Sequence, residues 1–199
     1  MMKKLYLLVL AAVVCSQTAT AQSVVESIRK AYAEAKAEIA DITNEEGYPP
    51  EYYQLNVVQN LPGTGPHHED VLMIFKEEPA AESVVYPPHR IFFVTTKYNF
   101  AARQFYEEYL FDDDGNLAFV YAFSPDVIDG KESELRFYFD RGKLVKLTTK
   151  QRNMGDTTFT DEATYTTCPD TLSRFYQEYL AQAFKLKRLF KSVDNATRL

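Results

Sequence analysis

The chain has 199 residues, of which 46% are hydrophobic, 14% aromatic and 25% charged, and its 22 basic and 28 acidic groups give a net charge of −6. This composition is too apolar for a disordered tail, and its acidic balance excludes the electrostatic footprint of a nucleic-acid binder. Two cysteines cannot build a disulfide scaffold, so a hydrophobic core must hold the domain together.

Residues 1–21 read as a secretory signal peptide. Lys3 and Lys4 precede an apolar run over 5–15, and Ala19-Thr20-Ala21 fits the small-residue cleavage pattern, which predicts cleavage between Ala21 and Gln22. The run is too short to span a bilayer of ~30 Å, and no later stretch predicts a transmembrane segment. A lipid anchor on Cys15 is the competing reading, but Val14 stands where such signals carry a small residue. Cleavage removes Cys15 and both leading lysines. It predicts one more acidic domain over 22–199, in the periplasm or at the cell surface, with Cys168 as its lone thiol.

Within that domain, apolar residues Val24, Val25, Ile28, Tyr32, Ala35, Ile39 and Ile42 recur at helical spacing and predict a helix over 23–42. Asn44 to Gly47 and Pro49-Pro50 stop it. The period then switches to two. Strands are predicted over 52–59, 71–76, 90–98, 103–111, 117–123, 134–139 and 143–150, with a weaker one over 157–165. Gly142 in Asp140-Arg141-Gly142 supplies the positive φ of a tight hairpin.

Pro169 opens a closing helix, with Thr167 or Cys168 as its cap. Its stripe is Leu172, Phe175, Tyr176, Tyr179, Leu180, Ala183, Phe184 and Phe190, and Lys185, Lys187, Arg188 and Lys191 fill its last turns. The short connections favour antiparallel neighbours. The fold class is therefore α+β: an antiparallel meander of about six to eight strands, flanked by an N-terminal and a C-terminal helix. No internal repeat is visible.

The motifs for chemistry are mostly negative. His67-His68-Glu69-Asp70 lacks the second histidine of H-E-x-x-H and follows Pro66, so it reads as a solvated loop at a strand entrance. With His89 the only other histidine, His67, His68 and His89 are the weak metal candidates, and no cofactor is expected. Asp112-Asp113-Asp114-Gly115 fails the calcium-loop register at Leu110 and Tyr121, and reads as a hairpin turn. Cys168 at a helix start reads as a packed thiol rather than a nucleophile, since no histidine lies near it in sequence. No nucleophile elbow, P-loop or dinucleotide glycine run is present.

Aromatic residues are the distinctive feature: half of the chain's Phe and Tyr lie between Phe92 and Phe139. Alternation over 117–123 puts Leu117, Phe119, Tyr121 and Phe123 on one sheet face and Ala118, Val120 and Ala122 on the other. With Tyr109, the residues Phe119, Tyr121 and Phe123 are the candidate ligand-binding set. Packed core is the competing role for these rings.

The Ala21-Gln22 junction, the segment Ile28-Arg29-Lys30-Ala31-Tyr32-Ala33-Glu34-Ala35-Lys36 and the loop Leu61-Pro62-Gly63-Thr64-Gly65-Pro66 resemble uncharacterised exported proteins of Bacteroidetes. That resemblance implies a Gram-negative periplasmic or surface protein. It assigns no activity and transfers no site residue. The expectation from the residues themselves is a non-enzymatic binding or interaction module of the cell envelope, for a small-molecule, glycan, lipid or protein ligand. The alternative is an envelope or glycan hydrolase using carboxylates or the set His67, His68, Glu69 and His89, a reading that gains ground if two of those histidines and a carboxylate share one pocket.

Overall fold

The computed structural model describes residues 2–42 and 50–197, with side chains from residue 22 onward except that of Asp161. Helix α1 (Met2–Ile42) is followed by eight strands: β1 (Tyr52–Leu61), β2 (Gly65–Glu77), β3 (His89–Phe100), β4 (Arg103–Phe111), β5 (Leu117–Asp126), β6 (Lys131–Asp140), β7 (Lys143–Asn153) and β8 (Asp161–Tyr165). A 3-10 turn (Asp170–Leu172) leads into helix α2 (Ser173–Thr197). The strands form one sheet in the order β1-β2-β3-β4-β5-β6-β7-β8, every pair antiparallel. The expected α+β meander is thus the architecture, with all eight strands present. The predicted helix stop at Asn44–Gly47 lies outside the described residues, and the expected cleavage junction falls within α1. No helix among the described residues is long and apolar enough to cross a membrane.

Each helix covers one face of the sheet. Val25, Ile28 and Ala35 of α1 are buried against Ile74, Phe93, Leu110, Phe119 and Tyr138. Ala183, Leu186 and Phe190 of α2 are buried against Met73, Val94, Tyr109, Val120, Phe137 and Leu147. Consecutive residues such as Tyr109 and Leu110 therefore serve different layers, which is why central strands read as apolar on both sides.

The sheet carries a repeated irregularity. Ile74 pairs with Phe93 but Phe75 with Ile91; Leu110 pairs with Phe119 but Phe111 with Leu117; Tyr138 pairs with Lys146 but Phe139 with Leu144. Phe92, Ala118 and Val145 are thus three β-bulges, one near the start of every second strand. All three extra residues pack on the α1 side, while Phe75, Ile91, Phe111, Leu117, Phe139 and Leu144 pack on the α2 side. The hairpins β2–β3, β4–β5 and β6–β7 therefore share one bulge placement, although their connecting segments differ in length. The last two also share a sequence form, Phe-Asp, a turn with Gly, one residue and Leu. A bulge raises local twist and re-aims the residues on one side of it. Here it moves Leu117 to the α2 face and Ala118 to the α1 face, which corrects the strict alternation expected over 117–123.

Turns and caps follow local chemistry. Arg141 and Gly142, with φ of 47° and 78°, form the two-residue hairpin between β6 and β7, where paired positive φ matches strand twist. Asp112 accepts backbone N–H bonds from Asp114 at 3.0 Å and Asn116 at 2.7 Å, making the acidic segment a side-chain-closed turn. Neither Thr167 nor Cys168 caps the closing helix, because Pro169 itself precedes the 3-10 turn and no side chain bonds there. The stripe also shifts: Phe175 and Phe184 are 46% and 62% exposed, while Leu186 and Asp194 are buried. Helix α2 continues to Thr197, so Lys185, Lys187, Arg188 and Lys191 lie in its middle and its last turn has no base.

Candidate functional site

Helix α2 runs across the strands rather than along them. Its Tyr176 packs on Phe137 and Phe139 of β6, and its Phe190 packs on Tyr53 and Phe75 of β1 and β2. The half of the sheet nearest the β3–β4 and β5–β6 turns is left open along the helix. A cavity of about 460 Å³ forms there, lined by His67, Glu69, Tyr98, Phe105, Glu107 and, from α2, Glu178, Tyr179 and Lys185. A second cavity of about 600 Å³ shares Phe105, Ser124 and Phe175 with it and extends over Leu135 and Gln151 to Tyr165. Together they make one groove. Ile128, 93% exposed in the β5–β6 turn, stands at its rim.

The floor of the groove is built around Glu107. Tyr98 donates its hydroxyl to one carboxylate oxygen at 2.7 Å, and Tyr109 donates to the other. The rings of Tyr98 and Phe105 stack at 5.1 Å and 10°, a cross-strand pair that the register places face to face. Glu107 is 6% exposed. Desolvation pushes its carboxyl above the ordinary value, opposed by the two tyrosine hydrogen bonds and reinforced by the negative charge of Glu69. The native state therefore holds a proton on Glu107 at pH values where the unfolded chain has lost it, so stability falls as pH rises from about 4.5 through the elevated value. Glu107→Gln is expected to flatten this acid-side slope in urea titrations run between pH 4 and about 8.

Glu108, one residue on, does the equivalent work on the α1 face. It is 1% exposed, and accepts from Lys36 at 2.6 Å, from Tyr106 at 2.6 Å and from Tyr32. This network binds α1 to the middle of the sheet. A cavity of about 220 Å³ lies on that side, lined by Arg29, Tyr32, Arg136 and Tyr138.

The structure separates the sequence candidates. Phe119, Tyr121 and Phe123 share the α1 face, but Tyr109 lies on the α2 face, because it pairs with Val120 while Glu108 pairs with Tyr121. Tyr109 and Phe119 are buried, and Tyr32 covers Phe119 at 4.9 Å. Tyr121 is half-buried and donates to Glu134 at 2.8 Å; Phe123 is half-buried opposite Glu134. The four do not form one surface. His67 to Asp70 lie within β2 rather than in a loop, since β1 and β2 remain paired up to Leu61 and Gly65. Consequently His67 and His68 face opposite layers: His67 enters the groove 3.8 Å from Glu69, while the backbone N–H of His68 donates to Asn99 at 2.6 Å. His89 sits at the far end of β3 beside Asp194, Glu51 and Glu77. Only one histidine reaches the groove. Burial and the nearby Asp170 push the Cys168 thiol up, the opposite of nucleophile activation.

Sequence reasoning missed Glu107, Glu178, Tyr98 and Phe105 as site residues, and read Tyr179 only as part of the apolar stripe of α2. The signal for the first was Glu107-Glu108 in the middle of Phe105-Tyr106-Glu107-Glu108-Tyr109: two adjacent acids in a central strand must be buried on opposite faces. No known family model, curated protein or solved structure matches this chain.

Proposed function

We propose that the protein is an exported, non-enzymatic binding module of the bacterial cell envelope whose ligand is a glycan seated in the groove beneath α2. The observation that carries this reading is the juxtaposition of a stacked aromatic pair, Tyr98 and Phe105, with the carboxylates of Glu69, Glu107 and Glu178 in one open cavity. Sugar rings offer apolar C–H faces to aromatic side chains and hydroxyl donors to carboxylates, so this lining matches both halves of their chemistry. Export rests on Lys3, Lys4, the apolar run and Ala19-Thr20-Ala21. N-terminal sequencing of the protein recovered from an expressing bacterium tests it, with Gln22 as the expected first residue.

Ligand binding is tested by a thermal-shift screen of envelope oligosaccharides. A bound sugar at 100 times its Kd adds ~2.7 kcal/mol of stability, a shift of several degrees for a domain of this size. Tyr98→Ala is expected to abolish the shift, while Tyr121→Phe, on the other face, leaves it intact. A panel of neutral, amino and acidic sugars that shifts nothing removes the glycan assignment.

A second reading, glycan hydrolysis, is favoured by one observation: the elevated carboxyl of Glu107 shares the cavity with Glu69. Two carboxyl groups in one cavity, one of them raised, are the pairing glycosidases use. Against it, both Glu107 oxygens already accept tyrosine hydroxyls, which fits a fixed acceptor better than a proton donor. Release of reducing ends from envelope glycans, lost in both Glu107→Gln and Glu69→Gln, decides for the enzyme.

A further inference from the structure

The other end of β2 and β3 holds a second constellation, independent of the groove. His89 stands directly opposite Glu77 in the β2–β3 register. Glu51, just before β1, is brought alongside by the hydrogen bond that its carbonyl accepts from the Phe75 N–H at 3.2 Å. One ligand atom from each of Glu51, Glu77 and His89 lies within 4.8 Å of the other two. Both carboxylates are exposed and His89 is half-buried.

The imidazole is held in place by a buried carboxylate. Its Nδ1 is 2.6 Å from Oδ1 of Asp194, a residue of α2 that is 6% exposed. The same Asp194 oxygen accepts the Tyr53 hydroxyl at 3.0 Å. The His89 ring also packs on Phe75 at 4.6 Å. With Nδ1 donating its proton to Asp194, the lone pair of the ring is left on Nε2. A buried carboxylate that sets the tautomer and orientation of a histidine is the support that metal-ligating histidines receive in proteins.

From this geometry we infer that Glu51, Glu77 and His89 form a zinc site, with Asp194 as its positioning residue. One imidazole and two carboxylates match the borderline softness of zinc and leave coordination positions for water, whereas magnesium and calcium prefer oxygen alone. Zinc bonds of about 2.0–2.2 Å draw the three ligand atoms closer together, a contraction that the two exposed glutamates make by rotamer change. The bound ion clasps the ends of three neighbouring strands and, through His89 and Asp194, ties them to the final turns of α2. Neither His67 nor His68 takes part.

The experiment is calorimetric titration of the chelator-stripped full chain with zinc chloride, with magnesium and calcium chlorides in parallel. The expected result is one equivalent of zinc bound, with at least about tenfold preference over the other two ions. Glu77→Gln and His89→Gln each abolish measurable binding, Asp194→Asn weakens it roughly 10–100-fold, and His67→Gln and His68→Gln leave it unchanged. Because Glu77 is exposed, its variant retains the fold, which circular dichroism checks. Zinc binding that survives both Glu77→Gln and His89→Gln, or that is absent from the native chain, overturns the inference. Loss of binding in the His67 or His68 variant alone also overturns it.

Discussion

Above pH 10 the protein is expected to unfold in one transition in which tyrosine ionisation and loss of secondary structure coincide. Burial pushes the hydroxyls of Tyr32, Tyr98, Tyr106, Tyr109, Tyr121 and Tyr179 far above their ordinary value, and neighbouring glutamates reinforce each shift. Below pH 10 these groups are protonated in both states and contribute no slope. Above it the unfolded chain releases their protons and the native state keeps them, so the native state binds more protons and loses stability as pH rises. Each such tyrosine contributes about 1.4 kcal/mol per pH unit. Six together exceed the ~5–15 kcal/mol that stabilises a typical domain within one to two pH units. Phenolate absorbance and far-ultraviolet circular dichroism, followed together against pH, check this. Gradual ionisation near pH 10 with the dichroism intact contradicts it.

Glu108→Ala is expected to cost about 3–5 kcal/mol, the largest effect of any single polar substitution proposed for this chain. It strands the hydroxyls of Tyr32 and Tyr106 and removes the partner of Lys36. Lys36 is 41% exposed and turns to water at little loss, so most of the cost falls on the two tyrosines. Glu108→Gln keeps an acceptor in place and is expected to lose about half as much. Urea unfolding of the two variants gives the comparison. Equal midpoints for Glu108→Ala and the native chain would show that the network does not hold α1 to the sheet.

Much of the layer structure was legible because it depends on local periodicity. The stripe from Val25 through Ala35 packs as its spacing implies, and strands β3 to β7 begin within a few residues of their apolar patterns. What failed depends on pairing between strands. A bulge inserts one residue without changing composition, so nothing local to Leu117-Ala118-Phe119 marks Ala118 as the extra one. The polar run His67-His68-Glu69-Asp70 mimics a loop, yet its pairing with Gln59 to Asn56 across the hairpin keeps it extended. Helix α2 shows the same limit: a wide stripe of Phe and Tyr leaves several rotations open, and the choice of Leu186 over Phe184 is made by the sheet beneath. The groove is less legible still, since it exists only because α2 crosses the strands.

The strictly sequential strand order has a consequence for synthesis. Each strand pairs with the one made just before it, so the sheet can grow by adding hairpins at one edge, with no strand waiting for a distant partner. The layer over Met73, Tyr109, Val120 and Phe137 is different, because it is supplied by α2, whose 25 residues follow all eight strands. Until that segment is free of the machinery that makes or moves the chain, one side of a nearly finished sheet is bare and open to association with other chains. The docking of α2 therefore closes the face that the completed sheet would otherwise offer to other chains.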